Sequence, residues 1–141
     1  MVDDRWHHGG MAGVLFLCVH NAGRSQMAAG FMRQLSGREV EVFSGGSEPV
    51  ELINPVAVAV MAEKGIDISD QQPEHWTDER LEAADVVVTM GCGDACPVIP
   101  GKRYVDWALD DPSGRSLAEV RVIRDEIQIL VESLLVELSR V

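Results

Sequence analysis

Cysteine, basic residues, aromatic side chains and long apolar runs are all scarce in this chain. Three cysteines stand among 141 residues. So few thiols do not build a disulfide framework. With no export signal in view, they read as redox or catalytic groups in a reducing, cytoplasmic compartment. Lysine and arginine number 12 against 23 acidic residues, for a net charge of −11. That balance argues against a nucleic-acid or acidic-membrane partner. No apolar run is long enough to span a bilayer, and the first 13 residues lack the apolar stretch of a signal peptide. Aromatics make up only 5%, yet the chain is 46% hydrophobic, enough for one core of ordinary size. There is no internal repeat, low-complexity segment or linker. Residues 1–12 read as a flexible extension, with Met11 as an alternative start, and 13–141 as a single domain.

What is present alternates. Val14–Val19 is a short continuous apolar run bounded by turn residues, the pattern of a fully buried strand. From Ser25 a helical pattern carries Met27, Phe31 and Leu35. Val40–Ser44 predicts a strand closed by Gly45 and Gly46, and Pro55–Lys64 a helix stopped at Gly65. Asp78–Ala83 predicts a short helix, Val86–Met90 a buried strand and Arg103–Trp107 a weaker one. Leu117, Val120, Ile123, Ile127, Val131 and Leu134 recur at helical spacing, as in a long amphipathic closing helix. This alternation implies an α/β fold: a three-layer sandwich with a central, mainly parallel four-stranded sheet. Ligands of such sheets sit at the carboxyl ends of the strands. Cys18 follows the first strand, Cys92 and Cys96 the third, and Asp111 the fourth, so the candidate chemistry gathers at one sheet edge.

The stretch Cys18-Val19-His20-Asn21-Ala22-Gly23-Arg24-Ser25 puts a nucleophile, a cation and a run of backbone N–H groups into one loop. The loop opens onto a helix N-terminus, where unpaired N–H groups and the positive dipole end favour an anion. A thiolate is stabilised there, and the thiolate is the nucleophilic form. The bland reading of Cys18 is a small buried hydrophobe. Arg24 is either a surface side chain or a two-pronged clamp on an anion, and the dipole disfavours a cation at that position unless an anion is held. Ser25 reads as a helix cap, and Asn21 as a turn residue or a brace for the loop. Cys92 and Cys96 read as a redox pair on a glycine-rich segment or as two zinc ligands lacking a second cysteine pair. Asp110 and Asp111 are a solvated acidic pair or, for Asp111, a proton donor beside the loop.

Cys18-x5-Arg24-Ser25 after the first strand resembles the loop of the low-molecular-weight tyrosine phosphatase family, and within it the arsenate reductases. Val86–Pro97 resembles their redox-cysteine segment, and Trp107–Gly114 their aspartate-proline loop. The resemblance spans nearly the whole chain and implies a low-molecular-weight tyrosine phosphatase-like catalytic domain over 13–141. It implies an arsenate reductase acting in arsenic detoxification through a Cys18 thiol–arsenate intermediate and a thiol/disulfide relay. By position, Cys18, Arg24, Ser25, Asp111, Cys92 and Cys96 are its catalytic residues, with Ser25 also donating to the Cys18 thiolate. His20, Asn21, Ala22, Gly23, Arg24 and Ser25 are its oxyanion-binding residues. It implies no bound cofactor or metal. The partners would be arsenate and an external thiol reductant: thioredoxin, or a small thiol such as mycothiol or glutathione with its mycoredoxin or glutaredoxin.

Three departures mark the resemblance. Cys92 and Cys96 are closer together than in thioredoxin-linked members, so the spacing does not choose the reductant. Met27-Ala28-Ala29-Gly30 lacks the acid through which some members hold potassium. Ser113 stands where the phosphatases of the family carry a tyrosine, which removes an aromatic wall for a phosphotyrosine ring. The alternatives are a low-molecular-weight phosphatase hydrolysing phosphate monoesters and a non-catalytic thiol redox or anion sensor.

Overall fold

The computed structural model describes residues 12–91 and 102–139. The elements run β1 (Ala12–Cys18), α1 (Arg24–Leu35), β2 (Val40–Gly46), α2 (Pro55–Ala62), α3 (Asp78–Ala83), β3 (Val86–Thr89), β4 (Arg103–Asp106) and α4 (Leu117–Leu138). The strands form one sheet of order β2-β1-β3-β4. Every pairing is parallel, so the sheet expected to be mainly parallel is wholly so among the described residues.

Each residue of the central strand β1 is buried, as its continuous apolar run requires of a strand covered on both faces. Alternate side chains serve two cores. Val14, Phe16 and Cys18 join the larger, with Met27 and Phe31 of α1, Val60 and Met61 of α2, and Ile123, Ile127 and Val131 of α4. Leu15 and Leu17 join the smaller, with Leu81 and Ala84 at α3 and Val87 of β3. The sheet is therefore the middle of three layers. Two helix starts are well signalled. Asn54 caps α2, its Oδ1 accepting from the Val56 and Ala57 N–H groups ahead of Pro55 at the first turn. Ser116 and Glu119 form a reciprocal capping box at α4. No helix among the described residues is long and apolar enough to cross a membrane.

Some boundaries move for physical reasons. Gly45 and Gly46 extend β2 instead of ending it, and Gly46 lies opposite Cys18 in the register. A Cβ on Gly46 would stand 2.6 Å from the Val19 carbonyl oxygen and 3.0 Å from the Asn21 nitrogen. Glycine there lets the loop after β1 fold back over the neighbouring strand. The helix after β1 begins at Arg24, one residue earlier than the apolar pattern indicates. Helix α2 ends at Ala62, and the chain leaves through Gly65 at φ +75°.

Candidate active site

The loop from Val19 to Gly23 joins the end of β1 to the start of α1. Its carbonyl edge is held from outside. The Glu48, Val50 and Asn54 N–H groups donate to the carbonyls of Val19, His20 and Ala22 at 2.8, 3.3 and 2.9 Å. The loop is thereby fixed at a helix N-terminus, whose first N–H groups have no partner within the helix and suit an oxyanion.

Cys18 is buried with its Sγ 2.9 Å from the Ser25 hydroxyl. Ser25 Oγ also accepts from the Asn21 side-chain amide at 2.7 Å, which frees the hydroxyl hydrogen for the sulfur. A donated hydrogen bond favours negative sulfur over neutral thiol. The cap reading of Ser25 is overturned: Gly23 holds the cap position, no side chain caps the helix, and Ser25 lies inside its first turn. Asn21 satisfies both of its readings. It adopts φ 50°, and it braces the loop. Its Oδ1 accepts from the Glu74 N–H at 2.8 Å, while its carbonyl accepts from the Gln26 side-chain amide at the same length.

Arg24 is buried, at 7% exposure, not a surface side chain. Its Nη1 donates to the Leu109 carbonyl at 3.3 Å, and its Nη2 lies 3.9 Å from Asp111 Oδ2. The guanidinium passes against Gly91, where a Cβ would stand 2.6 Å from Nη1 and where φ is +81°. The backbone favours glycine there, and a Cβ would push the guanidinium aside. Asp111 is half-exposed, its Oδ1 accepting from the Ser113 N–H at 2.9 Å. Pro112 beside it is buried against Gly23, which has no room for a side chain. The aspartate-proline turn thus packs directly onto the loop.

One cavity of about 400 Å³ collects these parts. Cys18, His20, Ala22, Gly23, Arg24 and Asp111 line it, with an apolar wall that includes Val50, Leu52 and Val56 and with Arg115 at the rim. The local cation and amide groups act at contact range, where the global negative charge is screened by salt over about 10 Å. Cys92 and Cys96 lie outside the described residues. The sequence pattern does not single out Gln26, and it marks Gly91 only as part of a glycine-rich segment, not as a neighbour of Arg24. Gln26 carries a signal of sorts, an uncapped polar side chain on an otherwise apolar buried helix face; the approach of Gly91 to Arg24 carries none, because the two are remote in sequence.

A buried cysteine, a buried guanidinium and an aspartate-proline turn around one loop at a helix N-terminus make a phosphatase-like arrangement. The chain belongs to the low molecular weight phosphotyrosine protein phosphatase family, which it matches over residues 13–141. Among its relatives is a putative arsenate reductase of Halobacterium salinarum, 39% identical over 129 residues, covering 88% of this chain and 91% of the relative. A glutaredoxin arsenate reductase of Synechocystis is 37% identical over 92% of this chain and 100% of its own length. Among solved structures, a thioredoxin-dependent arsenate reductase of Corynebacterium glutamicum superposes with a TM-score of 0.83 at 39% identity, covering 96% of this chain and 70% of that one.

Proposed function

We propose that this protein reduces arsenate to arsenite through a covalent adduct on Cys18, in the cytoplasm, drawing electrons from thiols. The observation that carries the reading is the arrangement of Cys18 Sγ 2.9 Å from the Ser25 hydroxyl and in one cavity with buried Arg24 and Asp111. The family's arsenate reductases support it.

Arsenate enters the loop, where backbone N–H groups of residues 20–25 and the two-pronged Arg24 guanidinium hold its oxygens. The Cys18 thiolate attacks arsenic, and an As–O bond breaks. Asp111 gives a proton to the departing hydroxyl, which leaves as water. A second thiolate then attacks Cys18 Sγ. The S–As bond breaks with its electron pair remaining on arsenic, so As(V) becomes As(III) and leaves as arsenite. The two sulfurs are oxidised to a disulfide. Cys92 supplies the second thiol and passes the disulfide on to Cys96. A thioredoxin- or glutaredoxin-type protein then returns two electrons to the enzyme. Cys92 follows Gly91 in the chain, and Gly91 packs on Arg24, which supports the assignment.

Mass analysis after one arsenate turnover without external reductant tests the relay. A Cys92–Cys96 bridge is expected, and Cys92→Ser should stop repeated reduction while sparing hydrolysis of an aryl phosphate. Intact thiols with full first-turnover yield in both Cys92→Ser and Cys96→Ser would remove the relay in favour of direct attack by a small thiol.

A further inference from the structure

Behind the loop, a set of buried and half-buried polar side chains runs from Arg33 on α1 to the nucleophile. Arg33 Nη1 donates to Gln71 Oε1 at 2.7 Å. Gln71 Nε2 donates to Gln26 Oε1 at 2.7 Å. Gln26 Nε2 donates to the Asn21 carbonyl at 2.8 Å and to Asn21 Oδ1 at 3.2 Å. Asn21 Nδ2 donates to Ser25 Oγ at 2.7 Å, and Ser25 Oγ lies 2.9 Å from Cys18 Sγ.

The direction of every amide follows from its neighbours and not from the placement of nitrogen and oxygen atoms. Arginine has donors only, so the Gln71 atom facing it is oxygen and its nitrogen faces Gln26. Gln26 meets that nitrogen with oxygen, and its own nitrogen faces the carbonyls of Asn21 and Gln72, which only accept. The Glu74 backbone N–H fixes Asn21 Oδ1 as an acceptor, which turns the Asn21 nitrogen to Ser25. Ser25 is left with one hydrogen, and Cys18 is beside it. All the donors therefore point from the cation toward the sulfur.

We propose that Arg33, Gln71 and Gln26 are positioning residues that polarise the Asn21–Ser25 pair and so hold Cys18 as a thiolate. Hydrogen bonds in series strengthen one another, and a low-dielectric setting increases the effect. Arg33 faces Asp70, Arg38 and Arg80, and Arg80 is itself paired with Glu74. On the far side Cys18 shares its cavity with His20, Arg24, Asp111 and Arg115. The device rests on the assignment of Cys18 as the nucleophile, not on the identity of the oxyanion.

The test uses the full chain with Cys92→Ser and Cys96→Ser as parent, so that Cys18 alone is alkylated by iodoacetamide. Gln71→Glu keeps the acceptor for Arg33 but has no donor for Gln26, which breaks the chain at nearly unchanged size. The expected result is a lowered denaturation midpoint, because Gln26 loses the donor to its oxygens, together with weaker ultraviolet thiolate absorbance. Alkylation at mildly acidic pH should be about five- to tenfold slower, a fraction of one charged hydrogen bond. Arg33→Met should show the same loss, and Arg33→Lys should restore most of the rate. Alkylation within about twofold of the parent in both Gln71→Glu and Arg33→Met would overturn the proposal, since it would leave these side chains a merely structural role. No arsenate enters these measurements, so a failure of the arsenate assignment leaves their outcome legible.

Discussion

Replacing Ser25 with alanine removes the hydroxyl that joins Asn21 to Cys18. The side chain is wholly buried, 2.9 Å from Cys18 Sγ and 2.7 Å from Asn21 Nδ2, so no water takes its place readily. Two separate losses follow. A hydrogen bond to a charged group contributes about 1.5–3 kcal/mol, which converts to adduct formation about 10- to 150-fold slower. Asn21 Nδ2 is also left buried without an acceptor, which costs about 1–3 kcal/mol of folding stability. Rapid-quench measurement of a single arsenate turnover reads the first loss, and urea unfolding reads the second. The two need not move together, because one concerns charged sulfur and the other an amide present in either state. A Ser25→Ala variant that forms the adduct within about twofold of wild type, at wild-type stability, would refute the reasoning.

Arg24→Lys keeps the charge but loses the planar fork, and arsenate turnover should fall by about 100-fold in steady-state assays. Gly91→Ala should raise the KM for arsenate and lower turnover, because its Cβ meets Arg24 Nη1 and its backbone sits at φ +81°. Glu63 carries bonds from Arg121 and Arg124 that hold its carboxylate down from the ordinary 4.5 to about 2. Because the folded value is the lower one, the unfolded chain takes up the proton first as pH falls. The stabilisation is complete above about pH 4.5 and lost as pH approaches 2. Urea unfolding of Glu63→Gln should therefore differ from wild type at neutral pH and converge with it near that lower limit.

The neighbourhood of Cys18 was legible because it is local in sequence. An apolar run, a cysteine, an arginine and a helical pattern follow one another between Val14 and Leu35, and burial on both faces of β1 follows from the absence of polar alternation. The parallel sheet followed from strands alternating with helices. Ser25 was misread as a cap because Gly23, with no side chain to signal it, occupies that position. The burial of Arg24 was not legible, since Leu109, Asp111 and Gly91 reach it from distant segments. Gln26 and Gln71 stand 45 residues apart and meet only because the segment before α3 crosses behind the loop. Gly45 and Gly46 were expected to close the strand, yet they are strand residues, and Gly46 makes room for the loop backbone.

Arsenite release by wild type and by Cys18→Ser, with a thioredoxin or glutaredoxin system supplying electrons, tests the central claim most directly. With a mechanism that depends on Cys18, wild type releases arsenite repeatedly. Cys18→Ser releases none and loses any aryl phosphate hydrolysis, because an alcohol in this loop is a far weaker nucleophile than a thiolate. Arsenite release by Cys18→Ser near the wild-type rate would contradict the claim, as would a wild type that hydrolyses aryl phosphate but releases no arsenite with either reductant.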